Sequence, residues 1–388
     1  MKVVDLFAGS GGMSQGFEDA GFELVAAFEN WEPAIATYRE NFDHPVYKLD
    51  LSDFEGAAKL LASEFSPDVI IGGPPCQDFS HAGKRVESAR ADLTVSFAEI
   101  VARVRPKFFV MENVDRAKDS FAFSLAKDVM RGAGYGLILM TLDASRYGTP
   151  QRRKRFFCIG GLGLPDDFID VPVESLASDN PMTLRQFFGE SLDFENYYRH
   201  PRNYSRRAVF SVDEPAPTMR GVNRPVPNGY PGHPNDSVDV KSGVRPLTTM
   251  ERAAIQTFPP TFTWVGPKTH VEQLIGNAVP VRLAKFVASY LKDFIDGNNV
   301  SYTGEDFAAW LGQSGRYQSP RSQADVVSRV KRADGLLPLP LTSNPDYLHE
   351  LDKQSNFSLL KPTVRSQLKG AVKSYFEFLS DTSELATV

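Results

Sequence analysis

The sequence predicts an α/β protein: a parallel sheet with helices on both faces, then a smaller loop-rich segment, then a helical C-terminal extension. Three observations predict it. Short apolar runs alternate with helical patterns through the first 160 residues. From about residue 160 to 245 the periodicity fades and Pro, Gly, Asn and Arg accumulate. Beyond a polar stretch at 296–306, DGNNVSYTGED, the pattern is helical to the end.

The elements follow in order. Residues 3–7 (VVDLF) read as a buried strand, the glycine turn AGSGG follows, and a helix runs from about 13 to 20. LVAAF at 24–28 is a second strand ending at Glu29, and Pro33 opens the next helix. Further strands are expected near 46–49, 68–73, 107–111, 136–142 and 155–159, with helices near 53–64, 92–104 and 120–132. Helical patterns return at 246–258 and 280–295, and the second is amphipathic and expected to pack back on the first domain. The resulting division is a catalytic and cofactor-binding domain at 1–160 closed by 270–295, a recognition segment and hinge at 161–260, and a helical domain at 301–388.

The totals narrow the classes. A chain of 388 residues with 42% hydrophobic content holds one large domain and one or two smaller ones. Two cysteines allow at most one disulfide and do not suggest an oxidising compartment. No apolar run reaches the roughly 18 residues of a membrane helix, and the N-terminus breaks at glycines before a secretory apolar region is complete. The expected location is the cytoplasm. A net charge of −5 argues against a nonspecific nucleic-acid coat, but leaves room for a local basic cleft.

The chemistry concentrates at a few places. DLFAGSGG, 5–12, leads a strand into a glycine loop and a helix, where backbone amides meet polar or anionic groups. Glu29, about 20 residues on, suits ribose hydroxyls. A dinucleotide and S-adenosylmethionine both carry ribose, so these two features do not choose between them. IIGGPPCQDFS, 70–80, puts Cys76 where a buried strand gives way to a proline-stiffened turn. MENV at 111–114, QRRKRFF at 151–157 and QLIGNAVPV at 273–281 follow. Cys158, in the run FFCIGG, reads as a buried structural thiol.

PPCQ, ENV, QRRKR and GNAV in this order resemble the DNA cytosine-5 methyltransferases, over about residues 2–292. The resemblance implies a Rossmann-like S-adenosylmethionine-dependent methyltransferase sheet. It also implies S-adenosylmethionine as methyl donor, S-adenosylhomocysteine as product, and double-stranded DNA as partner. Cys76 is implied as the nucleophile that adds to carbon 6 of cytosine, so that carbon 5 can attack the methyl sulfonium. Glu112 fits the acid at the N3 edge of the base, with Arg155 and Arg153 nearby. Phe7, Gly9, Gly11, Glu29, Asp50 with Leu51, Pro74, Leu93, Asn277 and Val279 match cofactor positions. Family members often place an apolar residue after the ribose acid. Here Asn30 stands there and Trp31 follows, so either Trp31 reaches over the adenine or it packs against the helix it opens.

The loop 77–85 is expected to close over a flipped base, with Ser80 on a phosphate and Lys84, Arg85 and Arg90 supplying charge. A second hydroxyl often found two residues after that serine is replaced by Ala82. Between Arg185 and Arg224 lie seven arginines, no lysine and five acids. PAPTMRG, 215–221, resembles a family segment that contacts DNA, through Thr218 and Arg220. No metal is implied, because neither cysteine nor any histidine forms a ligand cluster. A monomer is expected, with a cognate restriction endonuclease as a further partner. The same chemistry on tRNA is the alternative, disfavoured because its Cys-Phe-Thr motif is absent, and a non-catalytic DNA-binding relative is another. The C-terminal runs QADVVSRVKRADGLL and VRSQLKGAVKSYFEFL are similar, at low specificity, to the DNA-clamping helices of tyrosine recombinases. A plain packed bundle is the other reading.

Overall fold

The structure is a computed structural model, and it describes residues 1–75, 93–169, 171–203, 205–296, 304–317, 319–334, 336–337 and 347–385. Strands and helices alternate from the N-terminus: β1 (Lys2–Leu6), α1 (Gly12–Asp19), β2 (Glu23–Glu29), α2 (Glu32–Arg39), β3 (Val46–Lys48), α3 (Phe54–Leu60) and β4 (Val69–Gly72). They continue as α4 (Leu93–Val104), β5 (Phe108–Val114), α5 (Phe121–Gly132), β6 (Tyr135–Asp143), β7 (Gln151–Arg152) and β8 (Lys154–Leu162). Local chemistry starts these helices where expected. Asp53 accepts from Gly56 N at 3.0 Å ahead of α3, and Ser120 accepts from Phe123 N at 3.1 Å ahead of α5.

Seven strands form one sheet in the order β3-β2-β1-β4-β5-β8-β6. All neighbours are parallel except β8, which runs antiparallel to both β5 and β6. The sequence reading expected a parallel sheet, and the difference has a physical cause. A parallel crossover needs a dozen or more residues, usually with a helix. Only a 3₁₀ turn and two-residue β7 lie between β6 and β8, so the chain must double back. The reversal lengthens β5. Its ladder with β8 runs to Val114↔Arg155, which takes Glu112 into the strand rather than just past it. The core beneath is aliphatic and aromatic, built around Val4, Ile70, Phe97, Phe109 and Phe156.

Beyond the sheet come α6 (Leu184–Phe188), β9 (Asn196–Tyr198), β10 (Val209–Ser211), β11 (Ala216–Pro217) and β12 (Arg245–Pro246). Strands β10-β9-β12 form a small sheet, and β11 pairs with β7. These short strands escape sequence patterning because two or three residues carry no period. Next come α7 (Thr249–Ile255), α8 (Lys268–Asn277) and α9 (Val281–Ile295). A capping box of Thr248 and Glu251 starts α7. Helices α10 (Gly304–Gln313), α11 (Pro320–Asp334), α12 (Tyr347–Asp352), α13 (Ser355–Ser358) and α14 (Pro362–Leu385) complete the chain.

The chain divides into two compact units, Met1–Phe168 with Met182–Ala288, and Ile169–Pro181 with Ser289–Val388. The second has its own core, in which Phe307, Leu311, Val326, Val330, Tyr375 and Phe378 pack together. Among the described residues, no helix is long and apolar enough to cross a membrane.

Candidate active site

The C-terminal ends of β1, β2, β4 and β5 open onto one cavity of about 520 Å³. Ligand sites of open α/β sheets form at this edge. Phe7 turns the chain out of β1 with a φ of 58°, and the glycine loop follows. Gly12 has to lack a side chain, because a Cβ there would lie 2.3 Å from the Val279 carbonyl oxygen. Glu29 ties the neighbouring turn together. Its Oε2 accepts from Gly9 N at 2.8 Å, and its Oε1 accepts from Asn30 N and Trp31 N at 2.7 and 2.8 Å.

The cavity wall brings together Phe7, Gly9, Glu29, Asn30, Trp31, Asp50, Leu51, Pro74, Leu93, Asn277 and Val279 with Glu112, Arg153 and Arg155. Gly11 is not on this wall, since the space at its Cα faces Phe42 and Tyr38. Asn30 and Trp31 both reach the cavity, and the Trp31 ring also meets His270 of α8 edge-on, with centroids 5.7 Å apart. Cys76, Ser80, Lys84, Arg85 and Arg90 lie outside the described residues. The turn that leads to Cys76 is described as far as Pro75, and Gly73, Pro74 and Pro75 line the cavity. Asn113 holds that turn, donating from Nδ2 to the Pro74 carbonyl at 3.0 Å.

Glu112 and Arg155 form an ion pair in the wall, Oε1 to Nε at 2.7 Å, with side chains only 11% and 12% exposed. Burial raises the Glu112 carboxyl above its ordinary range, against the pull of Arg155 and Arg153. Burial likewise lowers the Arg155 guanidinium. A carboxyl shifted this way keeps a proton at higher pH and can offer it as a hydrogen-bond donor.

Arg153 is bound differently. It is 1% exposed, and it donates to the carbonyls of Met219 at 3.0 Å, Gly276 at 3.0 Å and Ala278 at 2.9 Å. Gln151 and Gln256 reinforce the same joint. Gln151 donates to Gln256 Oε1 at 2.8 Å and accepts from Met219 N at 2.8 Å, and Gln256 donates to Ile275 O at 2.5 Å. The cavity wall at 276–278 and the 218–220 segment are therefore fastened to one buried hub. Their backbones also touch: a Cβ on Gly276 would lie 2.2 Å from Gly221 N. Gly276→Ala is expected to cost about 1–3 kcal/mol of stability, read as a lower midpoint in urea denaturation.

Thr218 and Arg220 stand outside the cavity. The Thr218 hydroxyl donates to Arg152 O at 2.8 Å, while Arg199 donates to Thr218 O at 2.7 Å. Arg220 donates to the His200 carbonyl and receives Arg252 at its own carbonyl. Burial lowers the Arg220 guanidinium, and Arg202, Arg206 and Arg224 lower it further by like-charge repulsion. A positive cluster thus sits at this segment despite the acidic chain.

Sequence reasoning missed Asp5, Met13, Asn113, Arg116 and Leu274 in the wall. Asp5 carried a signal, being an acid in the middle of the apolar run VVDLF. Burial pushes its carboxyl up to about 7 from an ordinary 3.8. The folded value exceeds the unfolded one, so the native chain holds a proton that the unfolded chain has lost. Stability therefore falls as pH rises from about 4 to about 7, by on the order of 4 kcal/mol at most. Asp5→Asn is expected to flatten that slope, checked by urea denaturation at pH 5 and pH 8.

The comparisons with known proteins fit this geometry. The family model described as C-5 cytosine-specific DNA methylase matches residues 1–191 and 192–293. The chain belongs to this family. Type II methyltransferase M.HindV of Haemophilus influenzae is 55% identical over 296 residues, covering 76% of this chain and 97% of the relative. Type II methyltransferase M.HgiDI of Herpetosiphon aurantiacus is 54% identical over 298 residues, covering 76% and 96%. The crystal structure of S. pombe Dnmt2 methyltransferase shares the fold, with a TM-score of 0.59 at 18% identity, covering 76% of this chain and 99% of that one. The methylase is thus a DNA-binding, S-adenosylmethionine-dependent enzyme. The helices after residue 293 lie beyond the family match. Among the described residues, no group of three or more His, Cys, Asp or Glu is placed to hold a metal ion.

Proposed function

We propose that the methylase transfers a methyl group from S-adenosylmethionine to carbon 5 of a flipped-out cytosine in a specific double-stranded DNA sequence, through a covalent bond between Cys76 and carbon 6. The observation that carries this reading is a cavity whose wall holds a ribose-type acid, Glu29, the buried Glu112–Arg155 pair, and Pro74 and Pro75, the two residues that precede Cys76 in the sequence. S-adenosylmethionine fits the residues present, since Asp5, an acid with one buried carboxyl oxygen that lacks a hydrogen-bond partner, lines the cavity and suits a ligand that carries positive charge. Phe7, Gly9, Glu29, Asn30, Trp31, Asp50, Leu51, Pro74, Leu93, Asn277 and Val279 would hold it, with Gly11 shaping the loop. When bound, the cofactor supplies an electrophilic methyl group.

The chain's own residues do the rest. The Cys76 thiolate adds to carbon 6, and the ring's electron density moves to carbon 5. Glu112 hydrogen-bonds N3 of the base and stabilises the charge that addition creates there. Arg155 orients Glu112 and supplies positive charge beside the base. Arg153 positions the wall through its three carbonyl bonds. After carbon 5 is methylated, its hydrogen leaves as a proton, the Cys76–carbon 6 bond breaks, and the thiolate is restored. Ser80, Lys84, Arg85, Arg90, Thr218 and Arg220 are proposed DNA contacts, with 161–260 as recognition region and hinge and 301–388 as a separate helical domain. A cytoplasmic, nucleoid-associated monomer, paired with a restriction endonuclease of the same site, completes the reading.

The test is transfer of labelled methyl from S-adenosylmethionine to unmethylated duplex DNA or to tRNA, followed by bisulfite sequencing. Label in duplex DNA, with 5-methylcytosine confined to one short sequence, is the expected result. Label in tRNA alone, or in neither, would overturn it.

A further inference from the structure

Asp5, Ser14, Tyr38, His44 and Glu18 form an unbroken polar line from the cavity to the protein surface. Ser14 Oγ lies 2.6 Å from Asp5 Oδ2, within hydrogen-bond distance. The Tyr38 hydroxyl is 2.6 Å from Ser14 Oγ and 2.7 Å from His44 Nε2. His44 Nδ1 is 3.2 Å from Glu18 Oε1. Asp5, Ser14 and Tyr38 are buried, the His44 ring is 8% exposed and Glu18 is 35% exposed. At the inner end, Asp5 lines the cavity and its Oδ1 is buried without a hydrogen-bond partner. The methyl-transfer steps proposed above use none of the five, and only Asp5 enters the cofactor reading.

Such a line has two self-consistent proton arrangements. In one, Asp5 is a carboxyl donating to Ser14, Ser14 donates to Tyr38, and Tyr38 donates to a neutral His44 at Nε2. In the other, Asp5 is a carboxylate, every hydrogen bond is reversed, and His44 is an imidazolium held by Glu18. Three hops along existing hydrogen bonds convert one into the other. The proton lost by Asp5 appears on His44, and no other bond changes.

We propose that this line is a proton relay, through which Asp5 gives its proton to His44 when a cationic cofactor occupies the cavity, leaving a carboxylate as the counter-ion. An unpaired carboxylate is costly in a buried site, so the empty cavity favours the neutral carboxyl. A neighbouring cation reverses that preference. The surroundings fit both ends. Glu29 from β2 opposes a charge on Asp5, while Ser14 from α1 supports it. His44 is flanked by Tyr38 and Phe42, and Glu18 from α1 is its acidic partner.

The inference rests on the cofactor reading of the cavity, and its test separates the two. The ¹⁵N resonances of His44 would be followed near neutral pH before and after addition of S-adenosylmethionine, with His44→Gln identifying the signal among the six histidines. Binding is expected to remove the signal of a bare ring nitrogen and shift His44 toward the imidazolium. Tyr38→Phe should abolish that shift while the cofactor still binds, and Ser14→Ala cuts the same line should the first variant fail to fold. A bound cofactor with His44 unchanged, or with the same shift after the line is cut, would overturn the relay. Failure of S-adenosylmethionine to bind the unaltered protein would overturn the cofactor reading, and the relay with it.

Discussion

Cys76→Ala is expected to abolish methyl transfer, by at least about ten-thousand-fold, while leaving S-adenosylmethionine affinity within a few-fold. Carbon 5 of cytosine is too weak a nucleophile to take a methyl group unaided. Only addition at carbon 6 makes it reactive, and alanine has nothing to add. The chain offers no substitute. Its other cysteine, Cys158, is fully buried in β8 and lies in the apolar core, where burial pushes its thiol far above the ordinary range. Single-turnover transfer and a cofactor-binding isotherm, run on the same preparation, separate lost chemistry from lost folding.

Glu112→Gln is expected to lower kcat by about a hundred- to ten-thousand-fold, with little effect on the KM for cofactor. Glutamine keeps the shape and a donor, but cannot carry a proton to N3 or balance Arg155. The pH dependence follows from the raised carboxyl of Glu112. The proton it holds is present below its shifted pKa and lost above it. The rate in the unaltered enzyme should therefore fall on the alkaline side of that value, and the fall should be absent in Glu112→Gln. Removing the acid also leaves Arg155 buried without its ion-pair partner, so stability should drop by about 3–5 kcal/mol. A rate profile against pH, set beside a denaturation curve, distinguishes the two effects.

Much of the site was legible in the sequence because its residues sit where strands end. Phe7, Glu29, Asp50 and Pro74 lie at or just beyond the ends of successive strands and Glu112 in the last residues of β5, and a parallel sheet delivers such ends to one edge. Asn277 and Val279 were legible only through the resemblance, since helix α8 comes from far along the chain. Other features depend on tertiary contacts that no local pattern carries. The antiparallel turn of β8 follows from a short connection rather than from residue periodicity. The hub of Gln151, Arg153 and Gln256 joins residues about 100 positions apart, and its bonds to carbonyls leave no trace in side-chain type. Arg153 and Arg155 look alike in QRRKR, yet one binds carbonyls and the other binds Glu112. The relay from Asp5 to Glu18 was hidden for the same reason, because Ser14, Tyr38 and His44 are each ordinary alone.

The most direct test of covalent catalysis is trapping on DNA. Duplex DNA with 5-fluorocytosine at the target position would be incubated with the enzyme and S-adenosylmethionine, and the protein digested for mass spectrometry. Fluorine cannot leave carbon 5 as a cation in place of the proton, so the bond to carbon 6 should persist. A protein–DNA adduct on the peptide that contains Cys76 is expected. An enzyme that methylates ordinary DNA but forms no adduct, or forms one at another residue, would contradict it.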